Sequence, residues 1–171
     1  MDMTPDRWQR TIAYLRELFA PEDDHHRSIM PRAVAAGLPD IAVGPDAGKF
    51  LQMLVALAGG RLVVEVGTLA GYSTIWLARG LAQGGRIVSI DVSDKHLDVA
   101  RREAAAAGVA ERTSFRHGRA GDIMPKLLAE LGAGSCDLIL FDAQLSVYPA
   151  LVPSAKQLLR PRGLLVADNA L

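Results

Sequence analysis

Five short strand-like runs, separated by stretches of helical periodicity, constrain the fold of this chain more than any other feature. The runs cover residues 62–66, 86–91, 113–117, 137–142 and 164–168. Apolar strands that alternate with helices are typical of a parallel sheet covered on both faces. Because crossovers between parallel strands are right-handed, the pattern predicts a doubly wound α/β sheet.

Helices are predicted ahead of the sheet. Apolar residues recur at helical spacing over residues 5–20, which predicts an amphipathic helix. Residues 21–45 carry several prolines and glycines and predict an irregular segment, with at most a short helix near 27–36. A second helix is predicted to open at Asp46 and to stop at a Gly-Gly pair.

The length of 171 residues indicates one domain. We expect residues 1–60 to form a helical cap and residues 61–171 to form the ligand-binding α/β core. Lys+Arg and Asp+Glu number 19 each, so the net charge is zero and no basic excess favours nucleic acid as a partner. Half of the residues are hydrophobic, which excludes a disordered chain.

The expected location of the protein follows from features that its sequence lacks. The chain has one cysteine, Cys136, so no internal disulfide demands an oxidising compartment. No uncharged apolar run reaches the ~18 residues of a membrane-spanning helix, and the polar start lacks the apolar core of a signal peptide. We therefore expect a cytoplasmic protein with no membrane partner.

The predicted binding site lies at the carboxyl ends of the strands, where open parallel sheets bind ligands. A glycine-rich loop with Gly67 and Gly71 follows the first strand, and Asp91 ends the second strand. The loop is neither G-x-G-x-x-G nor a lysine-bearing phosphate loop. The loop and the Asp91 carboxylate together favour a ligand of the adenosine type, in which Asp91 would accept hydrogen bonds from the ribose hydroxyls. A nicotinamide cofactor, and hence a nucleotide-dependent oxidoreductase, is the alternative.

Aspartates end three of the predicted strands. They are Asp91, Asp142 and Asp168. Three such endings are more than solubility requires, although each residue alone is equally well explained as a helix cap or a turn residue.

Several spaced motifs resemble the S-adenosylmethionine-dependent O-methyltransferases of the catechol and caffeoyl-CoA type, known as family 3. The motifs lie at residues 65–73, 87–91, 137–143 and 158–169, and the segment 37–48 also matches the family. The resemblance runs from about residue 38 to the end and implies a Rossmann-like methyltransferase fold with strand order 3-2-1-4-5. It implies methyl transfer from S-adenosylmethionine to a hydroxyl group of a small, catechol-like substrate.

The resemblance also implies two sets of site residues. The cofactor-binding residues would be Val43, Gly44, Glu65, Gly67, Ser73, Asp91, Arg119, Ala120 and Asp142. The ligands of a divalent metal, usually magnesium, would be Asp142, Asp168 and Asn169. Two carboxylates and an amide oxygen are hard donors that suit Mg²⁺, which would lower the pKa of the substrate hydroxyl.

The chain departs from the family at two places. The family usually carries a basic residue, most often lysine, three positions after the first metal aspartate, and here that position is Leu145. The catalytic base is therefore unknown, and a catalytically weak or inactive cofactor-binding protein is an alternative. Family members also continue for two strands beyond the Asp-Asn pair, so we expect a truncated chain, a short gene product, or a homodimer that covers the fifth strand.

Four histidine or aromatic residues have competing interpretations. The pair His25-His26 follows acidic residues and is expected to sit in water rather than to bind metal. Trp76 is expected in the core. Tyr148, near the metal strand, is a candidate for substrate contact or for packing.

Overall fold

A single parallel sheet forms the centre of the computed structural model, which describes residues 4–169. Its strands run in the order β3-β2-β1-β4-β5. They are β1 (Leu62–Val66), β2 (Arg86–Asp91), β3 (Thr113–His117), β4 (Cys136–Phe141) and β5 (Leu159–Ala167). The predicted doubly wound fold and strand order are thus confirmed. The strand β5 begins earlier than predicted, because an irregular pairing opposite Cys136–Leu138 lets the chain around Pro161 join the sheet.

Seven helices surround the sheet in the described part of the chain. They are α1 (Pro5–Phe19), α2 (Asp24–Ala35), α3 (Pro45–Leu57), α4 (Tyr72–Gly80), α5 (Asp94–Ala106), α6 (Ala120–Leu131) and α7 (Tyr148–Leu158). Two 3₁₀ turns lie at Ala110–Arg112 and Leu145–Val147.

The helix α2 corrects the expectation of an irregular segment. Asp23 caps it by accepting a hydrogen bond of 2.7 Å from the His26 N–H, which the composition of the segment did not reveal. Pro31 removes one helical hydrogen bond. Ile29 and Ala33 on either side of it are fully buried, so packing in the helical layer with α4 and α5 offsets that loss.

Alternation along the strands divides the core between the two faces of the sheet. Val64 and Ile139 face α6 and α7, whereas Val63 and Leu138 face the layer of α2 to α5. All four side chains are fully buried, as expected for central parallel strands. Trp76, on α4, is buried in the second layer, so the prediction for it is confirmed.

The histidine pair packs into the helical layer, so the expectation that it sits in water was wrong. His26 is fully buried, with its Nε2 3.3 Å from the Tyr72 carbonyl oxygen and its ring against Tyr72 and Trp76. Burial, reinforced by the Arg79 charge, lowers the pKa of His26 to about 4. The neutral ring therefore packs as an aromatic group beside a guanidinium that lies 3.0 Å from its Nδ1.

The strand β5, like β3 at the opposite edge, is an edge strand of the described sheet. It lies at one end of the strand order, and none of its residues is buried. Leu165 is 42% exposed. Among residues 4–169, no helix has both the length and the apolar composition needed to cross a membrane.

Candidate functional site

A cavity of about 990 Å³ opens at the carboxyl edge of the sheet. Its wall is built by residues that follow each of the five strands, in loops and in the first turns of helices, and by residues 41–43 ahead of α3. This volume is at the upper end of the ~300–1,000 Å³ range of small-molecule and cofactor sites. The predicted site residues that line it are Val43, Gly67, Ser73, Asp91, Arg119, Ala120, Asp142 and Asn169.

The glycine-rich loop is fitted closely between two strand ends. The Gly67 N–H donates to the Ile90 carbonyl oxygen at 2.9 Å, and the φ of Gly67 is +98°. A Cβ atom at this position would lie 1.8 Å from the Asp142 carbonyl oxygen. Leu69 also has a positive φ, +48°, which costs a non-glycine residue energy. The loop therefore holds a conformation that only glycine at position 67 permits.

Asp91 organises this loop with backbone hydrogen bonds. Its Oδ2 accepts from the N–H groups of Thr68 at 3.0 Å and Leu69 at 3.1 Å, and its Oδ1 accepts from Ser93 at 2.9 Å. His96 Nδ1 lies 3.2 Å from Oδ1. The carboxylate is 9% exposed and lines the cavity, so a ligand there meets an acceptor that is already held in place.

Glu65 lies beneath the cavity and does not line it. It is fully buried and accepts from three hydroxyl groups, at 2.6 Å from Ser73, 2.5 Å from Thr74 and 2.5 Å from Ser89. Burial raises the pKa of Glu65 to about 7, although the three hydroxyl donors counteract part of that rise. Its structural effect is to orient Ser73, which does line the cavity.

The segment before α3 and the start of α6 form two further parts of the cavity wall. Gly44 is the N-cap of α3 and packs against Arg16 and Asp46, whose side chains form an ion pair of 2.7 Å. It does not line the cavity, whereas its neighbour Val43 does. Arg119 is the N-cap of α6 and contributes to the opposite wall.

Asp142 and Asp168 are brought side by side at the ends of β4 and β5. The Asp142 N–H donates to the Val66 carbonyl oxygen and the Asp168 N–H to the Phe141 carbonyl oxygen, each at 2.8 Å. Burial raises the pKa of Asp142 to about 6, and the neighbouring Asp168 carboxyl contributes to that rise. Asn169, with a φ of +52°, donates its Nδ2–H to Asp168 Oδ2 at 2.8 Å.

This donor set fits a hard divalent cation. Within residues 4–169, no group of three or more His, Cys, Asp or Glu residues is placed to hold a metal. The set at β4 and β5 instead combines two carboxylates with one amide, and like charges held together are relieved by a cation. Asp168 itself is not part of the cavity wall, although Asp142 and Asn169 are.

Position 145 supplies no basic group to this side of the cavity. Leu145 is 46% exposed in the turn after Asp142 and does not line the cavity. Of the described residues in the cavity wall, the basic ones are His96 and Arg119, both on the side of Asp91.

The residue whose role the sequence left open is Tyr148. Its ring is buried and packs on Phe141, with ring centroids 5.3 Å apart, and its hydroxyl accepts from the Ala143 N–H at 3.0 Å. The same hydroxyl donates toward the carbonyl oxygens of Phe141 at 3.0 Å and Asp168 at 3.2 Å. Packing is therefore its observed role, and Tyr148 is absent from the cavity wall.

Comparison with known sequences gives one consistent result. The sequence profile of the O-methyltransferase family matches residues 22–171. Catechol O-methyltransferase of Niastella koreensis is 41% identical over 158 residues, which are 92% of this chain and 71% of that protein. Catechol O-methyltransferase of Mycobacterium tuberculosis is 38% identical over 159 residues, which are 93% of this chain and 70% of that protein.

Solved structures agree with the sequences. The O-methyltransferase from Bacillus cereus in complex with SAH has a TM-score of 0.90 and 38% identity, and the match covers 96% of this chain and 74% of that one. The O-methyltransferase TomG from Streptomyces achromogenes, involved in tomaymycin synthesis and solved with SAM, has a TM-score of 0.90 and 35% identity. That match covers 98% of this chain and 75% of the other.

Proposed function

The chain belongs to the O-methyltransferase family and is an S-adenosylmethionine-dependent O-methyltransferase, and from that premise we propose a substrate class and a metal. The acceptor is a hydroxyl group of a small, catechol-like molecule, and a divalent cation, Mg²⁺ or a similar ion, assists the transfer. Two relatives named catechol O-methyltransferase support the substrate class.

The cofactor would occupy the cavity along the β1–β2 side. Asp91 would accept hydrogen bonds from the ribose hydroxyls, and Arg119 with Ala120 would flank the adenine. Val43 would border the methionine part. Ser73 lies in the first turn of α4, where N–H groups lack helical acceptors, and would therefore suit the methionine carboxylate. Glu65 and Gly44 do not line the cavity, so they would affect cofactor binding by positioning their neighbours Ser73 and Val43.

Asp142, Asp168 and Asn169 would hold the cation. When bound, it would lower the pKa of the acceptor hydroxyl and orient its oxygen toward the methyl donor. The chain's own contribution is to hold the two partners close together, since methyl transfer gains most from positioning. Because Leu145 offers no base and the basic wall residues lie on the cofactor side, we expect turnover to depend strongly on metal.

The observation that carries the metal assignment is the pairing of Asp142 and Asp168, with the raised pKa of Asp142. Calorimetric titration with S-adenosylhomocysteine, repeated with Mg²⁺ and a catechol, tests both assignments. We expect micromolar cofactor binding, and catechol binding only when metal is present.

Other outcomes separate the alternatives. Cofactor binding without any response to metal or catechol would contradict the proposed substrate and metal and favour a weak enzyme. Nicotinamide-dinucleotide binding in place of S-adenosylhomocysteine binding would favour the oxidoreductase alternative. The homodimer and the cytoplasmic location stay predictions, and light scattering of the purified chain tests the first of them.

A further inference from the structure

The relative position of Asp142 and Asp168 depends on how β4 and β5 end, because both residues directly follow the last residues that pair. The two strands pair in regular register from Leu138 to Phe141, and the irregularity near Cys136 lies at their opposite end. Past the last paired residues, Phe141 and Ala167, one backbone hydrogen bond joins the strand ends, from the Asp168 N–H to the Phe141 carbonyl oxygen.

A single hydroxyl group sits at this junction. Tyr148 Oη accepts from the N–H of Ala143, directly after Asp142, and shares its proton between the carbonyl oxygens of Phe141 and Asp168. It thus contacts the backbone on both sides of Asp142 and the backbone of Asp168 itself. These contacts are made inside the protein, because Tyr148 is 8% exposed, so water does not replace them readily.

The path of the chain explains how the tyrosine reaches this point. The 3₁₀ turn Leu145–Val147 reverses the chain after β4, and Tyr148 opens α7 on the face below the strand end. Its ring is fixed against Phe141, so the hydroxyl has little freedom to move.

We propose that Tyr148 is a positioning residue whose hydroxyl fixes the ends of β4 and β5 and so sets the spacing of the Asp142 and Asp168 carboxylates. It touches neither cofactor nor substrate. The inference rests on the proposed function only in taking those carboxylates as metal ligands. Groups that orient metal ligands typically change metal affinity 10–100-fold when they are removed.

The test compares Tyr148→Phe with Leu158→Val. The first change removes the hydroxyl and keeps the ring. The second loosens the far end of the same helix, where Leu158 is fully buried, without touching the strand ends. The measurements are Mn²⁺ affinity by electron paramagnetic resonance, S-adenosylhomocysteine affinity, melting temperature, and amide exchange at Asp168 by NMR.

For Tyr148→Phe we expect Mn²⁺ affinity to fall at least about tenfold. We also expect the Asp168 amide to exchange faster, even though its own acceptor, the Phe141 carbonyl, is unchanged. Cofactor affinity should stay within about twofold, which also shows that the variant is folded. Leu158→Val should lower the melting temperature and leave metal affinity and Asp168 exchange unaltered.

Wild-type exchange at Asp168 together with wild-type metal affinity in Tyr148→Phe would overturn the proposal, as would equal losses in Leu158→Val. If the wild-type protein binds no Mn²⁺, faster Asp168 exchange in Tyr148→Phe still supports the role of Tyr148 at the strand ends. In that case the metal part of the proposed function fails by itself.

Discussion

The two halves of the carboxyl edge use the same residue type in opposite electrostatic settings. At the end of β2, Asp91 is surrounded by three backbone N–H donors and His96. Past the ends of β4 and β5, Asp142 instead faces a second carboxylate, and its pKa rises to about 6. The first half is complete without a cation, whereas the second places like charges together. The difference supports the proposed assignment of the halves to different partners, a neutral hydroxyl-bearing ligand and a metal.

The halves meet at one point, where Gly67 packs against the backbone of Asp142. Changes there should damage both halves, and changes elsewhere should damage one.

Gly67→Ala should impair ligand binding in both halves of the site. Its Cβ would lie 1.8 Å from the Asp142 carbonyl oxygen, at a φ that disfavours side chains. We expect a loss of about 3 kcal/mol in the free energy of unfolding, or roughly 6–12 °C in melting temperature, together with loss of cofactor and metal binding. Thermal melts and calorimetry measure this.

Gly84→Ala is the matched control for that change. Gly84 has a φ of +74° but open space around its Cβ position. It should cost only the conformational strain, about 1–2 kcal/mol, and leave both ligands bound. Equal damage from the two variants would mean that the contact between loop and strand end is unimportant.

Asp91→Ala should break the cofactor half alone. Three backbone N–H groups would lose their acceptor, and each unsatisfied buried group costs about 1–3 kcal/mol. We expect S-adenosylhomocysteine affinity to fall about 100-fold or more, with Mn²⁺ affinity retained. Asp98→Ala, on the exposed face of α5, is the control and should bind like wild type. Unchanged cofactor affinity in Asp91→Ala would exclude the proposed ribose contact.

Asp168→Asn should break the metal half alone. It removes a proposed ligand and the charge that helps to raise the pKa of Asp142, so that pKa should fall toward its ordinary value. Metal affinity should fall about tenfold or more while cofactor affinity is retained. Asp122→Asn, which lies in the cavity wall on the cofactor side, is the matched control. A joint loss of both ligands would show that the halves are not independent.

Glu65→Gln should change how the stability of the protein depends on pH. The folded-state pKa of Glu65 is about 7, above its ordinary 4.5, so its penalty is absent below about pH 4.5 and grows until about pH 7. The variant should therefore gain stability over wild type across that window, by about 1–3 kcal/mol at the upper end, and show no further gain above about pH 8. Melting curves from pH 4.5 to 8.5 measure the difference, with the exposed Glu17→Gln as control. A pH-independent difference would contradict the buried titration.

Leu145→Lys should have the smallest effect. Leu145 is exposed and outside the cavity wall, so the change should alter stability by less than about 0.5 kcal/mol and leave cofactor affinity alone. Turnover of a catechol should change little. An increase above tenfold would show that this position faces the substrate and that the missing lysine limits the enzyme.

Much of the sheet was predictable because strand signals are local. The bounds of β1, β2 and β3 agree with the apolar runs and the turns around them. The helix α2 was predicted only as a short helix near 27–36 at most, because prolines and charges outweighed the buried positions of Ile29 and Ala33, which only packing reveals. The start of β5 was missed because its pairing is irregular there.

The candidate site could likewise be predicted only in part. The residues that end the strands could be predicted, since a strand and its following turn are coded by adjacent residues, and Asp91, Asp142 and Asp168 were identified in this way. The environments of these residues became visible only in the folded chain. Three N–H donors surround one carboxylate, a second carboxylate lies beside another, and Glu65 lies beneath the cavity wall instead of in it. The position of the Tyr148 hydroxyl between two strand ends was likewise visible only in the structure. Hydrogen bonds and charge interactions act over a few ångströms, and here they join segments that are distant in the chain. A local sequence pattern does not show which distant segments will meet.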